Sequence, residues 1–173
     1  MRLRQRDAVT CGPAVAVVAG ALLDAEYRTK VDRAWFAAEQ GRVHAAANRV
    51  WPRRLGTTPA GMAAAISRHG VRYRWRPYRG LFGRRDGLAD VAEALGGGRP
   101  VPMLVGNAVP RHWVLLLSVT DGVFECYEPS SGEVRAVPVA DVRHARLTNV
   151  GFPRPFAFVL PSGSNSATRS ATA

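Results

Sequence analysis

The sequence predicts an α+β domain with helices first and an antiparallel sheet last, and three observations carry that reading. The run at 14–24 is apolar on every side, as a helix at the centre of a domain must be. Helical patterns follow up to about residue 95, interrupted by one alternating stretch at 71–76. Beyond residue 100 the chain becomes a series of β-rich segments joined by Gly, Pro and Asp turns. Helices and strands segregated in this way belong to the α+β class.

With 173 residues the chain is long enough to bury one core, expected over 1–160. Residues 161–173 are rich in Ser, Thr and Ala without apolar periodicity, and a disordered tail is expected there. The 24 basic and 13 acidic residues leave a formal charge of +11, with Lys30 the sole lysine. This surplus favours acidic partners. The arginines lie in dispersed pairs such as Arg53-Arg54 and Arg84-Arg85, so no nucleic-acid groove is expected. Two cysteines, Cys11 and Cys126, are too few for a disulfide scaffold. No secretory signal and no apolar span of membrane length is visible, so a cytoplasmic protein without membrane contact is expected.

The first helix opens at Cys11-Gly12-Pro13, where a proline is tolerated because its missing N–H falls in the unpaired first turn. Gly20 leaves room for a close neighbour. Thr29 with Asp32 resembles a capping box and Gly41 a helical stop, with Val31, Trp35 and Ala38 on one face. A short helix over 43–50 would end at Trp51-Pro52. Pro59 opens a helix ending near Arg68. Alternation at 71–76 marks a half-buried strand, Asp86 is an N-cap for a helix at 87–95, and 100–105 is a buried strand. Strands are expected at 112–120, 123–128, 133–139 and 156–160.

Cys11, placed in the first turn of an apolar helix, faces unpaired N–H groups that favour a thiolate, lowering the pKa from its free value of about 8.5. Gln5, six positions upstream, is able to fold back and supply an amide N–H beside that of Cys11, the two donors of an oxyanion hole. Taken alone, such a cysteine reads equally as a small core residue. His112 stands at the mouth of the most apolar strand and Glu128 ends the strand that returns. A plain two-residue turn at Asp121-Gly122 would set residue 129 opposite 114 and aim Glu128 away from His112. A three-residue loop at 120–122, or another odd register, sets Glu128 opposite Val114 and makes it a diagonal neighbour of His112. The odd register is therefore expected. His44, His69 and His144 read as surface or cap residues, and Cys126 as a buried inert thiol.

The order Gln5, Cys11-Gly12-Pro13, His112-Trp113 and Glu128-Pro129, with Gly56-Thr57-Thr58-Pro59 and Gly98-Arg99-Pro100-Val101 between, resembles the papain-like cysteine peptidases of the C39 type from about residue 5 to 160. The resemblance implies a papain-like fold with Cys11 as nucleophile, His112 as general base and acid, Gln5 in the oxyanion hole and Glu128 orienting His112. Glu128 stands where that family usually has Asp. The implied substrate is a peptide or amide, with acidic positions favoured by arginines at 79–85 and 107–111. No cofactor or metal is implied. Acyl transfer on the same site and a silent peptide-binding domain are the rival readings.

Overall fold

The computed structural model describes residues 2–47, 56–78 and 88–163. Six antiparallel strands form its sheet: β1 (Tyr73–Pro77), β2 (Val101–Gly106), β3 (Pro110–Thr120), β4 (Val123–Glu128), β5 (Glu133–Pro138) and β6 (Arg154–Pro161), in the order β1-β6-β2-β3-β4-β5. One face is covered by α1 (Cys11–Leu23) and α4 (Pro59–Ile66), whose Val15, Ala19, Met62 and Ile66 pack on Trp113, Leu115 and Val159. The other carries α5 (Ala89–Gly96) and α6 (Val139–Arg143), which bury Val91, Leu95 and Val142 against Met103, Leu116 and Phe158. The period-2 pattern of β3 feeds both layers, because successive side chains leave opposite faces of a strand.

The region before α4 differs from expectation in three ways. A short helix, α2 (Ala25–Thr29), follows α1 and is capped by the Asp24 carboxylate, which accepts from Tyr27 N–H at 3.0 Å. The next helix, α3 (Arg33–Ala47), is capped by Asp32, not by a Thr29 box: Asp32 Oδ1 accepts from Trp35 N–H at 2.8 Å. It also runs through Gly41, where an added Cβ would stand 3.0 Å from an Arg6 guanidinium nitrogen. Gly41 is therefore a packing glycine and not a stop; of the helix expected at 43–50, residues 48–50 lie outside the described residues and 43–47 continue α3. Its buried face comprises Phe36, Glu39, Gln40 and His44, while Ala38 is exposed.

α4 is capped by Thr58, whose hydroxyl accepts from Gly61 N–H at 3.0 Å. At Gly20 a Cβ would meet His69 Nε2 at 2.5 Å, the close neighbour expected there. β1 is an edge strand on which Trp75 is 48 % exposed, lining a surface groove with Ala60, Ala64 and Arg74. Trp51-Pro52, Arg53-Arg54, the 79–85 loop, Arg84-Arg85, the Asp86 cap and the tail beyond 163 lie outside the described residues.

Candidate active site

Cys11 is the first residue of α1 and is 5 % exposed. The turn that places it is held by Ala14 N–H donating to Thr10 C=O at 2.9 Å. Gly12 is required beside it, since an added Cβ would lie 2.6 Å from both Thr57 Cβ and Thr57 Oγ1 and 3.2 Å from the Trp113 ring. Thr57 is fixed in turn by the Trp113 indole, which donates to its carbonyl at 2.8 Å. Burial pushes the Cys11 thiol up, the N–H groups of Trp113, Gly12 and Cys11 itself pull it down, and the Glu128 charge raises it again; the net shift is upward. The expected lowering at the helix start is thus overturned, because desolvation of a thiolate outweighs the few N–H groups that favour it.

His112 opposes Val105 in the β2–β3 pair, just before the register shifts at Gly106 opposite Pro110. His112 is buried, and its ring lies 5.9 Å from the Phe152 ring and places Nε2 2.9 Å from Glu128 Oε1. Burial pushes the imidazole pKa below its ordinary 6.5, only partly countered by Glu128.

Glu128 reaches His112 through a bulge. Asp121 and Gly122 form a two-residue turn, both at positive φ (50° and 75°), with Thr120 opposite Val123 and Val119 opposite Phe124. The three-residue loop is therefore not formed. Left-handed φ at both central positions is the geometry of a two-residue hairpin turn, for which Asp-Gly is a favoured pair. The pairing then shifts between Leu116 and Ser118, so that Leu116 opposes Cys126 and Leu115 opposes Tyr127. The bulged Leu117 supplies the odd register that places Glu128 on the His112 side.

The loop after β4 wraps the carboxylate. Ser130 N–H donates to Oε1 at 2.8 Å and Ser131 N–H to Oε2 at 2.9 Å. Burial raises the Glu128 pKa, but these donors outweigh it and hold the group at about 2.

Gln5 is hydrogen-bonded to the Glu128 loop and to its own turn. Its N–H donates to Pro129 C=O at 2.7 Å, its Nε2 to Asp7 C=O at 2.9 Å, and its Oε1 accepts from Ser130 Oγ at 3.2 Å. His112 and Glu128 are therefore in direct contact, and Cys11 sits against the backbone of the residue after His112. Among the described residues no hydrogen bond joins the sulfur to the imidazole or to Gln5.

Of the remaining candidates, Cys126 is fully buried opposite Leu116 and its thiol is pushed far up by burial, as expected of an inert core residue. His69 touches Asp24 at 3.4 Å and His144 caps α6. His44, expected at the surface, is 6 % exposed because α3 buries its polar side. Residues 107–111 are exposed next to His112. Sequence reasoning missed the parts played by Ser130, Ser131 and Thr57; the Ser-Ser-Gly after Glu128-Pro129 was a turn signal that also announced carboxylate donors.

No family model and no curated protein matches this sequence. Solved structures do match. A double glycine motif protease from an AMS/PCAT transporter, in complex with its leader peptide, superposes with a TM-score of 0.55 at 14 % identity, over 93 % of this chain and 89 % of that one. The peptidase domain of Streptococcus ComA, a bifunctional ABC transporter involved in quorum sensing, does so with a TM-score of 0.50 at 12 % identity, over 92 % and 95 %. This chain has the fold of the papain-like peptidase domains of the C39 type.

Proposed function

We propose that the protein is a papain-like cysteine peptidase or amide hydrolase with Cys11 as nucleophile, His112 as base and acid, and Glu128 as the orienting carboxylate. The carrying observation is the Glu128 to Nε2 contact of 2.9 Å at a carboxylate held ionised. An ionised carboxylate only accepts hydrogen bonds, so Nε2 carries the imidazole proton and Nδ1 has the free lone pair. At rest both partners are neutral, since burial raises the thiol and lowers the imidazole.

As a peptide carbonyl arrives, Nδ1 takes the thiol proton while sulfur bonds to carbon. The oxyanion gains the Cys11 N–H at the helix start and, on this reading, the second amide hydrogen of Gln5. Collapse breaks the C–N bond as Nδ1 returns its proton to the leaving amine. Water, deprotonated by the same nitrogen, then releases the acyl group from sulfur. Acyl transfer places an amine where that water stands. The catalytic unit is residues 1–160, and the free thiols of Cys11 and Cys126 suit a reducing, cytoplasmic setting. The net charge of +11 and the exposed Arg111 beside His112 favour acidic substrate positions.

A silent peptide-binding domain is the second reading. It draws on one observation, that the hydrogen bonds of the Gln5 side chain go to Asp7 and Ser130. Iodoacetamide separates the two: the peptidase alkylates at Cys11 and not at Cys126, with a rate at pH 7 that falls at least about tenfold in His112→Ala. Slow labelling indifferent to His112 selects the silent domain.

A further inference from the structure

Gln40 is a fully buried polar side chain that the chemistry above does not use. It lies in the middle of α3 with no exposed surface. Its Oε1 accepts from Arg6 N–H at 2.9 Å and its Nε2 donates to Arg4 C=O at 3.1 Å. One amide thus grips the backbone on both sides of Gln5, as an adjacent strand would. From the opposite side the same short segment is held by the β4–β5 region: Tyr127 Oη donates to Leu3 C=O at 2.7 Å, Arg4 Nε to Ser131 C=O at 2.8 Å, and Gln5 N–H to Pro129 C=O at 2.7 Å. Gly132 and Gly41 make room for it, for a Cβ at 132 would strike Leu3 O at 2.7 Å and one at 41 would press on Arg6 at 3.0 Å.

We propose that Gln40 is a positioning residue for the reaction, acting through the 3–6 segment to set Gln5 as the oxyanion donor and to tie it to the loop that holds Glu128. The proposal rests on the peptidase reading above. A buried amide with both ends satisfied specifies one arrangement of its partners, while an apolar substitute of equal size would retain the packing and release the segment. Gln40 touches no reacting atom. Its effect passes through Gln5 and is invisible wherever no oxyanion forms.

Two reagents make that distinction. p-Nitrophenyl acetate acylates a thiol through a tetrahedral oxyanion, whereas iodoacetamide alkylates it without one. In Gln40→Met the acylation rate of Cys11 falls roughly 10- to 100-fold while its alkylation stays within about twofold, and Gln5→Ala shows the same split. The double variant is no slower than Gln5→Ala alone, because the two side chains act as one unit. Tyr127→Phe, which releases Leu3 from the sheet side with little change in bulk, gives a weaker version of the split if Gln40→Met fails to fold. Equal loss with both reagents, or multiplying effects in the double variant, overturns the proposal. Amide hydrogen exchange at Arg6 is independent of activity: it accelerates at least about tenfold in Gln40→Met, and unchanged exchange also overturns the proposal. A wild type whose acylation ignores His112 defeats the peptidase reading, and with it the catalytic role of Gln40, while exchange still reports whether the grip on the segment is real.

Discussion

At the scale of single residues, two downward pKa shifts of different cause define the pair: hydrogen-bond donors favour the charged carboxylate, and burial favours the neutral imidazole. Glu128 is held at about 2 by backbone donors against the cost of burial, and burial keeps His112 below 6.5. The base is therefore free above its lowered pKa and lost as pH falls through it. Acylation of Cys11 by p-nitrophenyl acetate should be flat from neutral pH down to about 6.5 and decline only below that, and a pH-rate profile checks this. Removing the orienting group in Glu128→Ala frees the imidazole to rotate and change tautomer, and kcat/KM should fall roughly 100- to 10,000-fold with folding retained by far-UV circular dichroism. Cys11, His112 and Glu128 stand out in the sequence as candidates because each sits where the pattern changes: a helix start, a strand mouth, a strand end. The raised Cys11 thiol was not legible, since it depends on how completely the fold encloses the sulfur.

At the scale of elements, the site depends on irregularities rather than on regular structure. The Leu117 bulge decides on which side of β4 the carboxylate emerges. Asp121-Gly122 announced a turn in the sequence, and the need for an odd register followed from the positions of His112 and Glu128. Which irregularity supplies it did not, because a loop and a bulge give the same pairing at Glu128. Gly12 is a second such point. Gly12→Ala should force Thr57 away from the helix start and lower stability by about 1–3 kcal/mol, read from the urea midpoint, together with a loss of Cys11 acylation. Gly132→Ala combines a φ of 69° with a 2.7 Å approach to Leu3 O. Faster hydrogen exchange confined to residues 3–6 and the 129–132 loop is expected. α3 was hard to read in advance, since beside Phe36 its buried side is Glu39, Gln40 and His44 and hydrophobic periodicity is blind to a polar face that packs.

For the whole molecule, the two shifts predict acid sensitivity of definite sign. A folded-state pKa of about 2 for Glu128 against 4.5 stabilises the fold by about 3 kcal/mol above pH 4.5, and that contribution disappears as pH falls toward 2. His112, lowered from 6.5, adds a loss that begins as pH drops below 6.5, because only the unfolded chain then takes up the proton. Urea midpoints should therefore fall steadily from pH 7 to pH 3, and Glu128→Ala should flatten the part below 4.5. The α+β layout and most of the strands were readable from the chain, whereas the strand order was not, since β6 inserts between β1 and β2 through contacts that no local pattern encodes. The segment that carries Gln5 is bonded to partners 124 to 127 residues further along, at Tyr127 and Ser131. Contacts of such long range form late. On a ribosome, Gln5 and the Glu128 loop cannot meet until β4 and the turn after it have emerged, so on the peptidase reading a nascent chain carries its thiol before the site that would use it can assemble.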